Sequence, residues 1–161
     1  MKIFISHKNE DSPTAAGIAS YLRSSNINVY VDLMDNIGNN NAKALTEHIK
    51  SRMNECTDLL VVLSRKTEES WWVPFEIGMA AQKDYPMISF IKEIVKPPEY
   101  LSYYPSLKSY FELQKYIDSI RDRLIEKDKV EKLYGSLNES TNFSKRASIT
   151  ETFYKNLKAK L

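Results

Sequence analysis

The sequence predicts a doubly wound α/β domain on a mainly parallel sheet, of flavodoxin-like type, with extra C-terminal helices. Three observations carry that prediction. Short apolar strands alternate with helical segments through the first 95 or so residues, as right-handed crossovers over a parallel sheet require. Residues 58–64, DLLVVLS, form a nearly continuous apolar run, the mark of a central strand buried on both faces. The most turn-rich stretch, DLMDNIGNNN at 32–41, falls between a strand and a helix and interrupts neither.

Taken in order, KIFIS (2–6) reads as the first strand. SPTAAGIASYLRSS follows as a helix, with Ser12 as its N-cap, Pro13 in the first helical position and Ala15, Ile18, Ala19 and Leu22 as its buried stripe. INVYV (27–31) is the second strand, and 32–41 is a loop expected to order on ligand or partner contact. A second helix runs from Ala42 to Met53 with Leu45, Ile49 and Met53 on one face. After the third strand, RKTEE leads into a helix over 70–82, and PMISFI (86–91) is the fourth strand. SYFEL (109–113) is expected as an edge strand, 114–134 as a helix with Tyr116, Ile117, Ile120 and Leu124 in one stripe, and 135–144 as a loop. A last amphipathic helix carries Ile149, Phe153, Leu157 and Leu161. The expectation is one domain over 1–161, its α/β core in 1–92 and a mostly helical cover in 93–161.

Composition narrows the function. Net charge is +2, from 23 basic and 21 acidic residues, too balanced for a nucleic-acid or membrane surface. No apolar run approaches the roughly 18 residues that span a bilayer, and MKIFISHKNED is not a signal peptide. A lone cysteine, Cys56 in an apolar setting, and two separated histidines, His7 and His48, argue against disulfide and zinc sites and for a reduced, cytoplasmic protein with no metal.

Ligands of open parallel sheets bind at the C-terminal strand ends. Here these carry Ser6-His7-Lys8, Asp32 to Gly38, Ser64-Arg65-Lys66 and the helix beginning near Trp71. With four glycines in the chain (17, 38, 78 and 135) there is neither a GxGxxG turn nor a P-loop. Ser64 and Arg65 stand where a phosphorelay receiver needs aspartate, and no GxSxG elbow exists. What remains is ESWWVPFEIG (69–78). Trp72 and Glu76 are four apart, neighbours on one helical face. A carboxylate near a helix N-terminus, between apolar walls, suits cleavage of a glycosidic bond through an oxocarbenium-like transition state. An indole face suits a cationic leaving group such as nicotinamide. The plainer alternative has Trp72 packing on the sheet and Glu76 at the solvent edge of the helix. Spacing alone favours that alternative.

Three stretches in order resemble the Toll/interleukin-1 receptor (TIR) domain. IFISHKNEDS (3–12) is similar to that family's first box. VYVDLMDNIGNNNAKALTEHI (29–49) is similar to its second strand, BB loop and following helix. LLVVLSRKTEESWWVPFEIGMA (59–80) is similar to its third strand and the W-x-x-x-E of enzymatic members. The loop lacks the R-D-x-x-P-G form of many receptor and adaptor members. The resemblance implies cleavage of NAD+, a substrate and not a cofactor, at its nicotinamide–ribose bond. It implies Glu76 as the key catalytic residue, with Trp72, Ser6, His7, Asp32 and Asp35 binding substrate, and self-association through TIR surfaces. A chain of this length resembles the stand-alone TIR proteins of Thoeris antiphage defence, which implies an ADP-ribose-derived signal acting on a separate effector protein. The alternatives are a non-catalytic TIR interaction module and an enzyme similar to nucleoside deoxyribosyltransferases.

Overall fold

The structure, a computed structural model, describes residues 1–31, 41–134 and 139–161. Two compact units are present, residues 1–108 and 109–161.

The first unit holds a five-stranded sheet in the order β2-β1-β3-β4-β5, parallel throughout. The strands are β1 (Lys2–Ser6), β2 (Asn28–Val31), β3 (Asp58–Leu63), β4 (Met87–Ile91) and β5 (Ser106–Leu107). Helices α1 (Ser12–Ser24), α2 (Ala42–Asn54) and α3 (Trp72–Gln82) make the crossovers. From β1 the chain steps outward to β2, then returns past β1 to β3. Right-handed crossovers in opposite directions put α1 and α2 on opposite faces, so the sheet is doubly wound. Every residue of β3 is buried, as its continuous apolar run requires.

One face is closed by Ile49 and Met53 of α2 and by Val73, Ile77 and Ala80 of α3. These pack on Phe4, Leu59, Val61, Leu63 and Met87, and Trp72 lies against the same cluster, half-buried. Cys56 belongs to this core, and burial pushes its thiol up to about 11.

Three local expectations are corrected. Helix α1 is capped one residue earlier than expected, at Asp11, whose side chain makes no capping bond. Ser12 Oγ instead donates to Asn9 O at 2.6 Å. Residues 109–113 do not form the edge strand; that strand is Ser106–Leu107, paired with Ser89 and Phe90 of β4. Ser109 Oγ accepts from Glu112 N at 3.2 Å and Ser109 O from Leu113 N at 3.0 Å, and this serine cap turns SYFEL into a helix start. Likewise residues 139–144 are helical, not loop. Residues 32–40, with Asp32 and Asp35, lie outside the described residues.

The second unit comprises α4 (Tyr110–Tyr134) and α5 (Glu139–Lys160). The start of α4 meets the end of α5: Lys115 Nζ donates to Lys160 O at 2.6 Å, and Lys160 Nζ reaches Asp122 at 3.0 Å. The helices are therefore antiparallel. Arg123 stacks over the Phe153 ring at 4.7 Å. The expected stripes are shorter than predicted, because Leu124 and Leu161 are exposed.

Candidate functional site

The strand order reverses between β1 and β3, and open α/β sheets of this order take ligands outside the strand ends at such a switch point. Ser6 is the last residue of β1 and lies beside Val61 of β3. Helix α3 covers this end of the sheet from one face. Val73, Ile77 and Ala80 pack on the core, and a side chain four residues after Trp72 is carried on the same stripe as the indole. That side chain is Glu76. It is 1% exposed, and Ser6 Oγ, itself fully buried, donates to its Oε2. The plain alternative, a glutamate at the solvent edge, is thereby excluded.

A carboxylate taken out of water costs several kcal/mol before compensation, and the Ser6 hydroxyl is one group that offsets this. Buried, polarised carboxylates of this kind concentrate at functional sites. Chemically, a carboxylate fixed in this way can stabilise a developing positive charge beside it.

His7 follows Ser6 and is 5% exposed. Its Nε2 lies 3.1 Å from Ser12 Oγ. Ser12 Oγ also donates to Asn9 O at 2.6 Å. His7 thus braces the turn between β1 and α1.

Trp72 meets Phe75 edge-on, with ring centroids 5.8 Å apart. Trp71 is 91% exposed. The structure therefore brings Ser6, His7, Trp72 and Glu76 to one end of the sheet.

About 100° round α3 from Glu76, a cleft of about 260 Å³ opens between the helix and the segment after β4. Leu63, Val73, Ile77, Pro98, Tyr100 and Leu101 are among its walls, and Glu76 is not. Glu76 and its Ser6 partner therefore lie outside this cleft.

Spacing gave no sign of a second polar cluster on the same rim. Asp11, 1% exposed, accepts from Ser64 Oγ at 2.5 Å and from Lys92 Nζ at 2.8 Å. These residues lie 53 and 81 positions from Asp11 in sequence. Of the three, only Ser64 stood among the polar strand ends read from the sequence.

Comparisons with known proteins bear on the family and the fold. A 3' cyclic ADP-D-ribose synthase of Bacillus cereus (strain MSX-D12), named as probable and called ThsB', is 29% identical over 79 residues, 47% of this chain and 41% of that protein's length. The match thus spans less than half of the relative. Among solved structures, the TIR domain of the Toll-related receptor TRR-2 from Hydra magnipapillata superposes with a TM-score of 0.54 at 14% identity, over 65% of this chain and 81% of that one. A 2-deoxyribosyltransferase from Bacillus psychrosaccharolyticus superposes with a TM-score of 0.60 at 8% identity, over 70% and 90%. At such identities both show the fold alone. The sequence model of the TIR domain matches residues 3–134, most of the chain and all of its parallel sheet except Lys2, and the chain belongs to the TIR domain family.

Proposed function

We propose that this chain cleaves the nicotinamide–ribose bond of NAD+ and turns the ADP-ribosyl group into a signalling nucleotide. One observation carries the reading: a buried carboxylate, Glu76, held by Ser6 at the switch point of a parallel sheet. In the reaction the bond between the ribose anomeric carbon and the pyridinium nitrogen breaks, and its electron pair leaves with neutral nicotinamide. The ribose becomes oxocarbenium-like, and the Glu76 carboxylate stabilises that charge electrostatically. Trp72 offers an indole wall to the pyridinium before it departs. The cation is then captured by water, giving ADP-ribose, or by another nucleophilic position of the same nucleotide, giving a cyclic product.

The cyclic outcome is our preferred one. Support comes from the name of the B. cereus relative, a 3' cyclic ADP-D-ribose synthase, and from the likeness to stand-alone TIR proteins of antiphage defence. In that reading the product activates a separate effector protein, and the enzyme works in the cytoplasm. Asp32 and Asp35 remain candidates for substrate contact.

The test is to incubate purified protein with NAD+ and resolve the nucleotides by liquid chromatography and mass spectrometry. A product lighter than ADP-ribose by one water, formed with stoichiometric nicotinamide, supports cyclisation. ADP-ribose and nicotinamide alone reduce the reading to hydrolysis. Inertness toward NAD+, with base exchange on a 2'-deoxynucleoside, assigns the carboxylate to deoxyribosyl transfer. Inertness toward both leaves a non-catalytic interaction module.

A further inference from the structure

Asp11 is an acidic side chain at the N-terminus of a helix that it does not cap. Its carboxylate is buried and turned instead toward the ends of two other strands. Ser64, immediately after β3, donates to Oδ2 at 2.5 Å; Lys92, immediately after β4, donates to Oδ1 at 2.8 Å. Ser64 is itself committed. Its Oγ accepts from Lys66 N at 3.1 Å, and its own N–H donates to Thr67 Oγ1 at 3.0 Å, which shapes the 65–69 turn leading into α3. Lys92 is anchored too, since its backbone N–H donates to Leu63 O at 2.9 Å. One carboxylate therefore joins the turns after β1, β3 and β4 at the rim where Ser6 meets Glu76. A second tie, Lys8 to Glu69 at 3.2 Å, spans the first two of these turns, but its glutamate is mostly exposed and contributes little. Inside the rim, Asp11 is the fixed point.

The consequence is geometric. Ser6 and His7 sit on one side of this joint, at the end of β1. Glu76 sits on the other, on the helix that the 65–69 turn introduces. Their relative placement across the switch point is set by how firmly the turns are joined. We propose that Asp11 is a positioning residue for the reaction: through Ser64 and Lys92 it holds the β1 end and α3 in the register that presents Glu76, with its Ser6 hydrogen bond, to the reacting ribose. The inference rests on the NAD+ reading above. In agreement with a tight joint, the hydrogen bond and charge of Asp11 hold the Lys92 ammonium above its usual range.

The test measures NAD+ turnover on wild type, Asp11→Asn, Lys92→Met, Lys92→Arg and the double variant Asp11→Asn/Lys92→Met. Glu76→Gln and Lys2→Met serve as references, and rates are expressed per folded molecule from circular dichroism. Misplacing a catalytic group by an ångström costs up to about 10²-fold. Asp11→Asn and Lys92→Met are therefore expected to lower kcat by about tenfold or more while KM stays within about threefold, since an interaction used in the transition state is lost and not ground-state binding. Lys92→Arg, which keeps charge and donors, is expected to recover much of the rate. The double variant should be no worse than the poorer single one, because both break the same joint. Lys2→Met removes an ion pair with Glu55 at the opposite end of the sheet and should turn over normally. Should Asp11→Asn not fold, the Lys92 pair decides alone, as that side chain is a third exposed. If the Asp11 and Lys92 variants match wild type within about twofold while Glu76→Gln is inactive, the positioning role is overturned and the NAD+ reading stands. A loss in Lys92→Met that Lys92→Arg does not lessen also overturns it. If Glu76→Gln is as active as wild type, the NAD+ reading falls, and this inference with it.

Discussion

At the scale of single residues, the molecule separates side chains that look alike in sequence. Trp71 and Trp72 are adjacent, yet the first is 91% exposed while the second packs on the core and on Phe75. Trp72→Ala should cost about 1–3 kcal/mol, less than the full cost for a wholly buried tryptophan, and should slow NAD+ turnover. Trp71→Ala should change stability by less than about 0.5 kcal/mol. Thermal melts and turnover on both variants check this. Ser6→Ala removes the hydroxyl that donates to a buried carboxylate, and turnover should fall by about tenfold or more, in line with the cost of stranding a buried polar group. Cys56 is held neutral by burial, its value raised from 9.0 to about 11. The protonated thiol is favoured in the fold. The stability this confers is complete below about pH 9 and lost as pH rises toward 11. At pH 8 an alkylating reagent should leave Cys56 unmodified in native protein and label it after denaturation; rapid native labelling would contradict the burial. What sequence made legible here was type and spacing: Trp72 and Glu76 on one face. The Ser6–Glu76 and Asp11–Lys92 pairs join residues 70 and 81 apart, and such partnerships depend on strand order, which no local pattern encodes.

At the scale of elements, legibility followed length and amphipathic contrast. The four longer strands and the three crossover helices were read within about two residues, because apolar runs and 3.6-residue stripes mark them directly. Short segments were read less well. SYFEL is apolar enough for a strand, but Ser109 caps it into α4. The two-residue β5 exists because β4 offers it a partner, not because Ser106 and Leu107 favour extension. Caps are thus decisive at element ends, and one is open to test. Asn41 Oδ1 accepts from Ala44 N at 2.9 Å at the start of α2. Asn41→Ala should cost about 1 kcal/mol, whereas Asn41→Asp should be close to neutral. Chemical denaturation with unchanged slope would confirm that stability alone has moved.

At the scale of the whole molecule, strand order is what turns scattered polar residues into a site. Only with β1 and β3 adjacent does the end of the first strand meet the helix after the third. Self-association through TIR surfaces is an expectation open to test. If a second copy completes the site, specific activity should rise with protein concentration across the nanomolar to tens-of-micromolar range; constant specific activity would exclude it. No helix among the described residues is long and apolar enough to cross a membrane. The proposed function requires Glu76 to stabilise the ribosyl cation. The most direct measurement is nicotinamide release from NAD+ per folded molecule, compared between wild type and Glu76→Gln, which keeps size and hydrogen bonding but removes charge. A loss of at least about 10²-fold is expected with the fold retained, if Glu76 stabilises the cation by its charge. Release at the wild-type rate by the folded variant would contradict it.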